Sequence, residues 1–195
     1  MARTIKFSKE QLLEKSVSFI KEYGYSNLTV RELAKYIGCS TQPIFKNYIN
    51  FDMYKKDLKK ILVNDYKLFI QQYVDKNDYL YTISYAYALY AKYEPNIFFS
   101  LFMADLAGSR TVNEVINTER NKETIIAMEE QYDLSLEDAE KVYRDVRFFT
   151  HGIATQLCVN SIKLEDEDIK ALIKNNIDIN LRGNKNEFIR KKSKS

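Results

Sequence analysis

Apolar residues recur at helical spacing along most of the chain. Leu12, Leu13, Val17, Ile20 and Tyr23 mark one face of a first helix over about Ser8 to Tyr23. Ser8 with Gln11 forms a capping box, and Gly24 suits the left-handed stop of a helix. Thr29 with Glu32 opens a short second helix over about 30–36. Gly38 supplies a turn, and a third short helix follows over about 41–48. It is capped by Ser40 and carries Pro43 in its first turn, where a missing N–H costs little. A long amphipathic helix runs from about Asp52 to Val74, and Asn77 or Asp78 caps the next, to about Tyr93. Pro95 restarts a helix through Leu106, Gly108 breaks it, and Thr111 to Tyr132 reads as one more. Ser135 and Asp138 cap a long helix to about Ile162, and Glu165 to Leu181 is the last. No segment alternates as a strand does, so the predicted fold is all-α.

Composition agrees with this pattern. Five Gly and two Pro in 195 residues exclude a turn-rich β fold, and 45% hydrophobic residues supply ample core. The length suits a small head, residues 1–51, and a larger body, 52–182. Charge is distributed unevenly. Residues 1–64 hold 12 Lys and Arg against 6 Asp and Glu, residues 65–184 hold 13 against 20, and residues 185–195 hold 5 against 1. A polyanionic partner is therefore expected at one end only. Residues 183–195 read as a disordered basic tail. Cys39 and Cys158 form neither metal spacing nor a disulfide framework and read as reduced core residues. The start, MARTIKFSKEQ, lacks the apolar core of a signal peptide. The longest uncharged stretches, 79–91 and 148–162, are shorter than the ~18 residues of a membrane span. No membrane partner and a cytoplasmic location are expected.

The most informative segment is LTVRELAKYIGCSTQPIFKNY, residues 28–48. Ala34 is small where two short helices cross, Gly38 supplies positive φ, and Leu33, Ile37, Cys39 and Ile44 make a small core between them. A helix-turn-helix needs these features, because its second helix must enter the major groove as a rigid unit. A plain helical hairpin is the competing reading. Against it, Thr41, Gln42, Lys46 and Asn47 leave the second helix an outer face of hydrogen-bonding residues.

Leu28-Thr29-Val30-Arg31-Glu32-Leu33-Ala34, then Gly38-Cys39-Ser40, then Ile44-Phe45-Lys46-Asn47-Tyr48 resemble the DNA-binding domain of the TetR family of bacterial transcriptional regulators. The resemblance covers residues 10–62. It implies a two-domain, all-α homodimer: a helix-turn-helix head joined by a long helix to a helical effector and dimerisation domain. It also implies the candidate DNA contacts Thr29, Arg31, Ser40, Thr41, Gln42, Pro43, Phe45, Lys46, Asn47, Tyr48 and Lys55. Thr29 is placed on a phosphate and Arg31 on a guanine edge. Gln42 reads adenine and Pro43 packs on a thymine methyl. Lys46 and Tyr48 hold backbone, Asn47 touches either base or phosphate, and Arg3 and Lys6 form an arm toward phosphate or the minor groove. The chain departs from the family at Phe45, where Tyr is common, and at Phe51, where Lys is common. Lys55 and Lys56 are the expected substitutes for the lost charge.

Residues 77–103 hold 9 of the 26 Tyr and Phe residues. Such a stripe serves either as core or as the wall of a small-molecule cavity with hydroxyl tips. Under the family resemblance it maps to an effector pocket. The candidate lining is Tyr79, Tyr85, Tyr90, Tyr93, Phe98, Phe102, Met103, Phe148 and His151, suited to an aromatic or cationic effector. His151, the single histidine, reads either as a satisfied core residue or as a ligand contact. No carboxylate or Cys at helical spacing makes a metal site with it, and no cofactor is expected. The acidic run 165–168 reads as charge favouring a helix N-terminus.

Val142, Val146, Phe149, Ile153 and Leu157, and then Ile169, Leu172, Ile173 and Ile177, form the expected four-helix homodimer interface. The resulting expectation is a repressor on a palindromic operator, released by a small molecule. The alternative is an effector-independent DNA-binding adaptor whose helical body docks another protein. An enzyme is not expected, since one His without clustered carboxylates or a nucleophile leaves little catalytic machinery.

Overall fold

The structure, a computed structural model, describes residues 7–104 and 111–192, without the side chains of Arg120 and of 184–192. Every regular element among the described residues is helical. In chain order they are α1 (Lys9–Tyr23), α2 (Val30–Ile37), α3 (Gln42–Asn47), α4 (Phe51–Gln71), α5 (Tyr79–Tyr93), α6 (Pro95–Phe102), α7 (Val112–Ile116), α8 (Glu119–Tyr132), α9 (Leu136–Cys158) and α10 (Asp166–Lys192). Short 3-10 turns occupy Tyr25–Asn27 and Lys76–Asp78. Arg3, Lys6 and the break at Gly108 lie outside the described residues, and the helix expected through Leu106 ends at Phe102, with Met103 as its C-cap.

Local caps set most of the boundaries. Both halves of the box on α1 are made, Gln11 N–H to Ser8 Oγ at 3.2 Å and Ser8 N–H to Gln11 Oε1 at 3.0 Å. Ser135 caps α9 through the Asp138 N–H at 3.2 Å. Ser40 does not cap α3. The cap position is Thr41 and carries no side-chain bond, because Pro43 removes one of the N–H donors a cap would serve. The turn before α5 is held by Asp75, which accepts from Asn77 N–H at 2.9 Å, and not by Asn77 or Asp78 as cap.

Residues 111–132 form two helices. Thr118 caps α8, and Asn121 Nδ2 donates to the Val115 carbonyl at 2.6 Å, which satisfies the end of α7. The helix α9 stops at Cys158, before the expected Ile162, with Asn160 in the left-handed region at φ 54°. The tail expected to be disordered from residue 183 is helical as far as Lys192. It contains no proline to break the helix.

Two compact units emerge, one of Met1–Leu68 with Glu94–Gly108 and one of Phe69–Tyr93 with Ser109–Ser195. The first is larger than the expected head of 1–51, because it takes in most of α4 and all of α6. Lys21 and Glu94 form an ion pair of 2.8 Å, and Asn96 Nδ2 donates to the Lys21 carbonyl at 2.9 Å, which fastens α6 to the end of α1. Tyr54 of α4 is fully buried and hydrogen-bonded to Ser16 of α1. Burial pushes the Tyr54 hydroxyl well above its ordinary pKa, against the opposing effect of the hydrogen bond it shares with Ser16.

The second unit is a helical bundle. Leu80, Ala88 and Leu89 of α5 share one core with Ile125 and Met128 of α8, Val142 and Val146 of α9, and Ile169 and Ile173 of α10. No helix among the described residues is long and apolar enough to cross a membrane.

Candidate nucleic-acid interface

The geometry of 28–48 follows from a few local decisions. Thr29 Oγ1 accepts the Glu32 N–H at 3.1 Å and starts α2. Gly38 ends it with φ 76° and ψ 35°, a left-handed conformation that a Cβ disfavours. The Cys39 N–H then reaches back to the Ala34 carbonyl at 2.9 Å. Leu33, Ala34, Pro43, Ile44 and Tyr48 are buried, so they fix the inner face of the pair. Gln42, Phe45 and Lys46 follow the helical intervals of three and four from Gln42 and are exposed, as is Ile49 beyond the helix end. Phe45 is 55% exposed and Ile49 86%.

Of the expected DNA contacts, Thr29, Arg31, Ser40, Gln42, Phe45 and Lys46 are exposed, and Thr41 is partly so. Lys55 is half-buried, with Nζ 5.5 Å from the centre of the Phe51 ring. Three placements correct the sequence reading. Pro43 is buried, so its ring is turned from any thymine methyl. Asn47 spends its amide N–H groups internally, on the Pro43 carbonyl at 2.8 Å and the Phe7 carbonyl at 3.1 Å. It braces the start of the chain against α3. Tyr48 is 3% exposed and packs edge-on against Tyr54, with ring centres 5.3 Å apart. Its hydroxyl is buried without a hydrogen-bond partner, and burial first, then Asp57 and Glu10, raise its pKa. It is a core residue, not a backbone contact. Lys9, which sequence reading passed over, lies with Nζ 4.7 Å from the centre of that ring.

No family model matches the chain, and no curated protein matches it.

The nine effector candidates divide between the two units. Phe98, Phe102 and Met103 belong to the first, where Phe98 is fully buried and stacks obliquely on Phe102 with ring centres 4.9 Å apart. The other six belong to the second. Tyr90 is fully buried there, and Tyr93 and Phe148 are exposed. Tyr79 lines an open groove of about 540 Å³ with Lys76, Asn77, Glu123, Ala127, Glu130 and Gln131. Tyr85 stacks with Tyr81, rings near parallel at 7°.

His151 Nδ1 shares a hydrogen bond of 2.9 Å with Tyr87 Oη, and the Arg147 guanidinium covers the Tyr87 ring at 4.1 Å. The i, i+4 spacing of Arg147 and His151 was the available signal for their shared face. Asp166, read as generic helix-opening charge, has specific partners. It accepts from Lys92 Nζ at 2.7 Å and from Tyr93 Oη at 2.9 and 2.8 Å. The Lys92 hydrogen bond, with Tyr93 helping and partial burial opposing, holds its carboxyl below the usual range. Among the described residues no three His, Cys, Asp or Glu side chains group as metal ligands.

The expected dimer residues also need correction. Val142, Val146, Ile153, Leu157, Ile169, Ile173 and Ile177 are buried within the chain's own second unit. Their faces are covered by α5, α8 and one another, which periodicity alone does not distinguish from a partner. Phe149 and Leu172 remain exposed, as do Phe148 on α9, Val159 at its C-cap and Ile179 on α10.

Proposed function

We propose that the chain is a DNA-binding transcriptional regulator of the TetR type, acting as a homodimeric repressor on a palindromic operator. The observation that carries the reading is the outer face of α3. It presents Gln42 and Lys46, and Thr29 and Arg31 before it are exposed too, within residues 1–64, where basic residues outnumber acidic ones two to one. Gln42 offers the bidentate geometry that adenine takes, and Arg31 that of guanine. Two such helices in a dimer read half-sites about 34 Å apart. The exposed apolar residues of α9 and α10, Phe148, Phe149, Leu172 and Ile179, are the surface we assign to the dimer.

A small molecule bound in the helical body releases the DNA. It needs only a higher affinity for a dimer state that fits the two half-sites poorly. The adaptor reading also has an observation in its favour, since Tyr90 and Phe98, two of the expected cavity walls, are fully buried, as core residues are.

Selection of duplexes from a random pool at low salt tests the proposal. A palindromic consensus is expected, with log affinity falling linearly with log salt and with a slope shallower by about one per subunit in Lys46→Ala. Failure to enrich any sequence refutes it. Release of the selected duplex by small aromatic or cationic compounds separates effector control from the adaptor reading.

A further inference from the structure

Phe45 stands out on the proposed DNA face. Pro43, the residue expected on a thymine methyl, is buried, and Phe45 is the aromatic residue α3 leaves 55% exposed. It lies three residues after Gln42, on the same face, and next in sequence to Lys46, so the ring stands beside a base-reading amide on the helix face that also carries a phosphate-seeking ammonium. An exposed ring in that setting has one apolar counterpart on a base edge in the major groove, the 5-methyl of thymine.

We infer that Phe45 is a specificity residue that reads a thymine methyl in each half-site. This rests on the DNA-binding reading above and adds a base identity to it.

The test uses the full chain and the duplex it selects. Each thymine is replaced in turn by deoxyuridine, which deletes the methyl and keeps every hydrogen-bonding group. The wild type is expected to lose about fourfold in affinity at one position per half-site, the worth of one buried methyl, and about fifteenfold when both half-sites are changed. Phe45→Ala is expected to bind the thymine duplex as weakly as wild type binds the uridine one, and to treat the two alike. Gln42→Ala and Lys46→Ala keep the discrimination. A wild type that selects a sequence yet binds thymine and uridine equally at every position overturns the inference and leaves DNA binding standing. So does a Phe45→Ala protein that still discriminates, or one whose DNA affinity is unchanged. A wild type that selects no duplex overturns both this inference and the DNA-binding reading.

Discussion

Tyr48→Phe is the sharpest perturbation the head offers, because two roles for one hydroxyl predict opposite results. The Tyr48 oxygen is buried and lacks a hydrogen-bond partner, while the ring packs against Tyr54 at 5.3 Å and under Lys9 Nζ at 4.7 Å. Removing the oxygen keeps both ring contacts. A buried hydroxyl without a partner costs about 1–3 kcal/mol, so its deletion is expected to raise stability by about 1 kcal/mol, or roughly 2–4 °C for a chain of this length. The chain has no Trp and 15 Tyr, so tyrosine fluorescence and far-UV circular dichroism follow urea unfolding. The expected result is a higher midpoint at unchanged slope, with DNA affinity unaltered. A lower midpoint shows that the hydroxyl is partnered. Weaker DNA binding at equal stability restores the phosphate role given to Tyr48 by the family pattern.

Other substitutions probe the remaining links. Gly38→Ala places a Cβ at φ 76° with nothing within 4 Å, so its cost is backbone strain alone, about 1 kcal/mol. Gly38→Asn should cost less, and equal losses in urea unfolding contradict this. Asp166→Asn removes a carboxylate whose pKa is lower folded than unfolded, so its stabilisation is present above pH ~4 and lost as pH falls through the folded value. After solvent screening the expected loss at pH 7 is about 0.5–1 kcal/mol, and a loss that persists at pH 2.5 refutes the linkage. Ile173→Ala should cost about 2–5 kcal/mol of unfolding free energy. Leu172→Lys with Ile179→Lys should instead yield a folded monomer in sedimentation velocity, and an unchanged dimer refutes the assigned surface.

What the sequence makes legible is what neighbouring residues decide among themselves. Ser8 with Gln11, Ser135 with Asp138 and the glycine at 38 each settle a helix end within three or four residues, and the structure places all three as read. Errors at helix ends came where two local signals competed. Ser40 and Thr41 are adjacent hydroxyls that both suit a cap, and the helix starts after Thr41, while the run 111–132 reads as one helix until Thr118 is counted as a new cap.

Burial is harder, because a core and an interface demand the same residues at the same spacing. Ile169 and Ile173 look like a dimer face until α5, some 80 residues earlier, is known to cover them, while Leu172 between them stays outside. The same ambiguity exchanges roles on α3. Tyr48 has the polar tip and is buried, and Phe45 has none and is exposed. Exposing a phenyl ring in water is unfavourable, and burying an unpartnered hydroxyl is unfavourable too. Under the proposed function, a DNA major groove against α3 would relieve the first of these, and that is the ground for proposing Phe45, and not Tyr48, as base-reading.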